Sequence, residues 1–429
     1  MSGRLWNVRK RRAPFTLALA LASALVLAPV FFACSPPVSA PPSAAAIQPR
    51  PPLSARVAAP ASSASGHPAA PVSSAPEAPA PSEPPPLLIE QLRSDRQWTG
   101  VAASLDPSRR LFVSYPRWSD KVPVSVEEIS FGVASDERGS VPFIGVGPYP
   151  DEEWNAWRPG LDPRKHFVAV QSVLVTEGTL WVLDAGNPKF GGVVRGAPKL
   201  VVIDLTTDAV RDVIPFDAKI ASGASYLNDV RIDLSRGFAY ITDSGKGGLV
   251  VLDLLTKKAQ RVLDNSPSTH AEDTVLTIEG APWRRPDGSN PKVHVDGIAL
   301  SPDGEWLYYQ ALTGRTLYRI ATDVLRSPRF SNDDRARWVQ VVGTLGPADG
   351  LATMADGSII HTSLEANALV LVRPDGTTKT LVQDPRLAWP DSLAFGRFGE
   401  LWVTTSRIHR GGNPGEPYGL WVVPQWAFK

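Results

Sequence analysis

His294–Ile320 reads HVDGIALSPDGEWLYYQALTGRTLYRI. An Asp-Gly opens an alternating apolar run, and Pro302-Asp303-Gly304 ends it. A second run, rich in aromatics, follows, then a polar break and a third run. Pro presets φ, Asp bonds back to the backbone and Gly accepts positive φ, so the Pro-Asp-Gly is a turn. The stretch therefore predicts three short strands joined by tight turns, with Asp296 at the inner end of the first.

The same pattern recurs along the chain, and repeats of this length point to blades. The copies open at Thr99, Gln171, Asn228, Asp296, Asp349 and Asp391. Each opening is followed by a run such as Leu180-Trp181-Val182-Leu183-Asp184, Ala239-Tyr240-Ile241-Thr242-Asp243 or Leu401-Trp402-Val403-Thr404. Strands alternate or run apolar, with Gly, Asp, Asn and Pro between them. Unequal spacing places insertions in loops, over Gly145–Lys165 and His270–Val293. The fold class that follows is all-β, a six-bladed β-propeller over residues 88–429. The last blade shows three strands, so a strand near Leu87–Leu92 is expected to complete it and close the ring. The second-strand aromatics Trp181, Tyr240, Tyr308 and Trp402 read as core.

The chain ahead of that domain is of a different kind. Arg9-Lys10-Arg11-Arg12 followed by the apolar Phe15–Ala33 reads as a bacterial-type export signal over residues 1–34. Cys34, the single cysteine, ends a lipobox-like Phe31-Phe32-Ala33-Cys34 and is the candidate lipidation site. Cleavage after Val38-Ser39-Ala40 and an uncleaved signal anchor are the alternatives. Residues 35–87 are almost wholly Pro, Ala and Ser. They have too few large apolar groups to offset ordering entropy, and read as a disordered tether. Localisation in the cell envelope, lipid-anchored, or else secretion follows. One cysteine permits no intramolecular disulfide. The propeller segment has a slight excess of acids, which excludes nucleic acid as a partner. Membrane contact is expected through the N-terminal lipid or anchor alone, and a monomer is expected.

All six inner-strand openings are polar. Thr99, Gln171, Asn228, Asp296 and Asp391 are the candidate ligand-binding residues at one mouth of the channel. Converging carboxylates repel unless a cation offsets them, and their hard oxygens suit Ca²⁺ or Mg²⁺. The candidate metal ligands are Asn228, Asp296 and Asp349. His294, two residues before Asp296, shares its side of an extended segment. His294 and Asp349 are the candidate acid–base residues. Asp229 is expected to face away from the channel. Asp184 and Asp243 read as strand-end caps, and Asp303, Asp356 and Asp375 as turn residues. There is no Walker loop, HExxH, paired CxxC or GxSxG.

Leu111-Phe112-Val113-Ser114-Tyr115-Pro116-Arg117-Trp118 resembles the "FV…PRW" signature of the yellow/major royal jelly protein family. Leu180–Gly186, Ala239–Ser244, Gly297–Gly304 and Leu401–Val403 resemble further segments of that family, in family order. The resemblance implies a secreted six-bladed propeller whose relatives include binders of biogenic amines and proteins of melanin-pathway chemistry. More distantly, the chain is similar to the gluconolactonase / senescence-marker / luciferin-regenerating enzyme family. That likeness implies a divalent cation held by Glu, Asn and Asp, and opening of sugar lactones. Asn228, Asp296 and Asp349 fall on matching positions, but Asp296 stands where that family has Asn, and Thr99 replaces its Glu. Two functions are thus expected: a small-molecule binder with a polar or cationic ligand in the channel, or a metal-dependent lactone hydrolase.

Overall fold

A computed structural model describes residues 87–131, 143–411 and 415–428. The export signal, Cys34 and the Pro/Ala/Ser tether lie outside the described residues. Those described form six four-stranded antiparallel sheets and one two-stranded hairpin. The inner strands are Val101–Ala103, Val170–Thr176, Leu227–Asp233, Val295–Leu300, Ala348–Thr353 and Pro390–Phe395. Each packs on the next and the last on the first, so the ring is closed.

Closure uses the two ends of the chain. Blade six takes its three inner strands from Pro390–Phe395, Leu401–Thr405 and Tyr418–Val423, and its outermost strand is Ile89–Ser94. Ile89 pairs with Val422 and Ser94 with Tyr418. The strand expected near Leu87–Leu92 is therefore present, shifted by two residues. The insertion expected over Gly145–Lys165 is partly strand, because Phe143–Pro148 forms the outer edge of blade one. The loop proper begins after it.

The core lies between blades. Alternate residues of one strand feed opposite interfaces: Ala239 and Ile241 pack toward blade two, whereas Tyr240 packs toward blade four. Blades one and two enclose Phe112, Val173 and Leu180; blades six and one enclose Trp98, Val113 and Trp402. Burial on both faces explains why the strands read as apolar runs instead of clean alternations. Trp181, Tyr240, Tyr308 and Trp402 are all buried in these seams.

A repeated local device sets the channel mouth. In blades three to six the pairing slips at the opening residue: two inner-strand residues, such as Asp349 and Gly350, oppose one on the second strand. This is a β-bulge. Hydroxyls on the second strand satisfy the freed N–H groups. Thr362 Oγ1 accepts from Asp349 and Gly350 at 3.1 and 3.0 Å, Thr242 Oγ1 from Asp229 at 3.0 Å, and Thr404 Oγ1 from Ser392 at 3.1 Å. Thr242 and Thr404 then donate to the carbonyls of Asp296 (2.8 Å) and Thr99 (2.6 Å) in the following blade. The glycines after Asp296 and Asp349 serve this close approach. A Cβ on Gly297 would stand 2.5 Å from the carbonyl oxygen of Asp349, and one on Gly350 would collide with that of Asp391. These Asp-Gly pairs are blade-to-blade contacts, whereas Asp303, Asp356 and Asp375 do cap turns, accepting from Glu305, Ser358 and Thr377.

Candidate functional site: the acidic mouth of the channel

The bulges bring the six opening residues to one end of the channel, where all are buried. Asn228 Nδ2 donates to Asp296 Oδ2 at 2.7 Å and to Ser244 Oγ at 2.9 Å. The carboxyls of Asp296 and Asp391 lie near enough to Asp349 for the three to act on one another's charge. Trp389 Nε1 donates to Asp349 Oδ2 at 2.6 Å. Asp391 is 4% exposed, and among the described residues neither its Oδ2 nor the nearby Ser406 Oγ has a hydrogen-bond partner.

Three buried carboxyls that feel one another's charge are costly to ionise together. Burial first, then the charges of Asp349 and Asp391, pushes Asp296 well above the carboxylate range. Burial, followed by Asp349, does the same to Asp391. Burial raises Asp349 to about 7, against the opposing pull of the Trp389 N–H. Burial and mutual repulsion thus favour the protonated forms, and a cation entering the mouth would displace protons.

The other two opening residues are tied into the wall. Thr99 Oγ1 donates to the backbone carbonyl of Gln171 at 2.9 Å. Gln171 Oε1 accepts from Tyr226 OH at 2.8 Å, and that hydroxyl accepts from Trp118 Nε1 at 2.7 Å. Phe190 stacks between Trp118 and Tyr226, with centroids 5.6 and 5.2 Å apart.

The insertion His270–Val293 is pinned beside the mouth. Its hairpin pairs Thr277–Ile278 with Ala281–Pro282. Glu279 bonds His409 Nε2 at 2.6 Å and Arg410. Trp283 meets Trp389 edge-on at 4.9 Å, and His409 stacks on the same indole. His294 belongs to this assembly: its Nδ1 accepts from Ala271 N–H at 3.0 Å, and His270 abuts its ring. Burial, then the neighbouring His270, lowers its pKa. Among the described residues no hydrogen bond joins His294 to the carboxyls.

Asp229 corrects the expectation that it faces away. The bulge rotates it inward, and it lines the channel below the carboxyls, paired with Arg231 at 3.0 Å. Asp184 and Asp243 do cap, each accepting three backbone N–H groups. Each also carries an ion pair, with Lys199 and Arg261 respectively. Sequence reasoning misses Tyr226 and Trp389, though both sit two residues before an opening residue, the offset that singles out His294. Each donates to the opening residue of the preceding blade.

The residues expected to hold a cation have hard oxygens, but Asn228 presents its N–H to Asp296, and the Trp389 indole occupies an oxygen of Asp349. Among the described residues no three His, Cys, Asp or Glu form a group spaced to hold a metal. A divalent cation would use the Asn228 amide oxygen and the carboxylate lone pairs that these two hydrogen bonds leave free.

Fold and site together define a closed six-bladed propeller with a buried acidic mouth. The chain belongs to the major royal jelly protein family, whose family model matches residues 168–415. It is 26% identical over 234 residues to major royal jelly protein 1 of Apis mellifera, covering 51% of each chain. It is 26% identical over 322 residues to protein yellow of Drosophila subobscura, covering 70% of this chain and 54% of that one. The chain spans about half the length of these relatives. Among solved structures, a gluconolactonase from Xanthomonas campestris aligns with a TM-score of 0.46 at 15% identity, covering 79% of this chain and 88% of that one.

Proposed function

We propose that this chain is an exported propeller that binds a small polar or cationic ligand at the acidic mouth of its channel. The observation that carries the reading is the convergence of three buried carboxyls, one of which, Asp391, keeps an oxygen without a partner among the described residues. Such a group is costly unless a ligand completes it. An ammonium suits it, since three N–H donors can replace the retained protons.

Calorimetric titration of the purified protein with primary amines tests this. Binding is expected to release protons, so the apparent enthalpy should change with the ionisation enthalpy of the buffer. Asp391→Asn should weaken binding at least tenfold. An absence of heat with every amine would sink the reading. The second reading, a divalent cation at Asn228, Asp296 and Asp349 opening lactones, draws on the same carboxylates. A bound cation would supply carbonyl polarisation and an activated water. Turnover of a lactone that required added Ca²⁺ or Mg²⁺ and vanished in Asp349→Asn would replace the first reading.

Export and anchoring rest on residues 1–34. Attachment through a lipid on Cys34 predicts that Cys34→Ala moves the protein from the membrane fraction to the soluble fraction. A variant still sedimenting with membranes would instead indicate an uncleaved anchor.

A further inference from the structure

The channel has a second end. All six inner strands start at the acidic mouth, so their last residues surround the opposite opening. There a chamber of about 280 Å³ is lined by Val173, Val175, Leu300, Leu393 and Phe395, and opens past Leu105, which is 62% exposed. Its walls are mostly apolar; Thr353 and Ser392 also line it, the Thr353 hydroxyl being spent on the carbonyl of Leu300, and its charged groups, at the inner end, are Asp229 and Arg231.

That polar end is built. Ser172 Oγ donates to Asp229 Oδ1 at 2.8 Å. Arg231 Nη1 stands 3.0 Å from Asp229 Oδ2. The guanidinium is further fixed by the carbonyls of Val230 at 2.7 Å and Leu351 at 2.8 Å. Each side chain of the pair is 18% exposed. The pair is neutral as a unit. A cationic head would meet Arg231, and an anionic head would meet Asp229 and the carboxyls above it. A neutral head that both donates and accepts can bridge the two, donating to the carboxylate and accepting from the guanidinium.

We propose that this lower chamber is a second binding site, distinct from the acidic mouth, for a small neutral amphiphile. Its hydroxyl or amide head sits on the Asp229–Arg231 pair, and its apolar body lies against Val173, Val175, Leu300, Leu393 and Phe395. A concave apolar pocket with a few convergent polar groups is the usual form of a small-molecule site.

The test is a fluorescence titration of the full chain with three probes of one shape. They are 2-naphthol, naphthalene-2-sulfonate and protonated 2-naphthylmethylamine. The neutral probe is expected to bind in the micromolar range and the charged probes at least tenfold more weakly. Val175→Trp and Ala103→Trp, which fill the chamber from different blades, should each weaken 2-naphthol at least tenfold with the circular dichroism spectrum unchanged. No binding of 2-naphthol up to millimolar concentration, or equal binding of all three probes, overturns the proposal. So does undiminished binding by a folded filling variant. Should both variants fail to fold, the order of the three probes on the natural chain decides.

Discussion

Lys199→Met is expected to destabilise the propeller by about 3–5 kcal/mol, a large part of the net stability of a folded domain. Lys199 and Asp184 are both 0% exposed and stand 2.5 Å apart. Lys199 Nζ also donates to the carbonyls of Pro163, His166 and Ala197 at 3.0, 2.8 and 3.1 Å. The first two belong to the loop between blades one and two, so one ammonium ties that loop to the sheet. Asp184 in turn holds Val168, Ala169 and Gly186 through their N–H groups, and Gln171 follows two residues after Ala169. Methionine keeps most of the volume but leaves a buried carboxylate without its counter-charge and three carbonyls without a donor. Asp184→Asn should also destabilise strongly, because both carboxylate oxygens accept from N–H donors and an amide NH2 in either place would face two of them. Urea denaturation at pH 7 measures both. A loss below about 1 kcal/mol for Lys199→Met would show that the pair is not holding the loop.

The fold is readable because a propeller repeats itself. Six polar openings at inner-strand starts, each followed by an apolar second strand, repeat one local solution. The ring partner is also visible, since blade six lacks a strand and Leu88-Ile89 is the apolar segment left to supply it. What the sequence hides depends on geometry between blades. The glycines at 297 and 350 look like turn glycines, but their lack of a Cβ matters to the neighbouring carbonyl. The bulge that turns Asp229 inward breaks the two-residue period on which facing is judged. Lys199 reads as a strand residue, and nothing local shows that four acceptors converge on it. The carboxyl cluster is half legible: Asp296, Asp349 and Asp391 share an offset, but their convergence follows from the ring.

Asp391→Asn is expected to stabilise the protein at pH 8 and to have a smaller effect at pH 5. An Asp ordinarily titrates near 3.8, whereas Asp349 in the folded chain titrates at about 7 and Asp296 and Asp391 are also raised. The folded state thus keeps protons that the unfolded chain has lost. This contribution to stability is complete below 3.8 and disappears as pH rises through 7. At pH 8 the natural chain must hold ionised carboxyls near one another, and an amide at 391 removes one of those charges. At pH 5, below the value of about 7 for Asp349, less charge is held at the mouth and the amide, nearly isosteric with a carboxylic acid, changes less. His361 works the other way. Burial lowers it to about 4 from 6.5, so the folded chain leaves it neutral and loses stability as pH falls from 6.5 to 4. That loss is common to both proteins and cancels in their difference. Guanidinium denaturation of the pair at pH 5 and 8 gives the difference directly; an equal effect at both pH values, or a loss at pH 8, refutes proton retention at the mouth. The sign also separates function from architecture. A cap or turn carboxylate stabilises, so its removal costs stability, as the backbone N–H groups on Asp184 and Asp243 imply. A group whose removal stabilises the fold while weakening amine binding is held in the channel at a cost to stability, as binding-site residues commonly are.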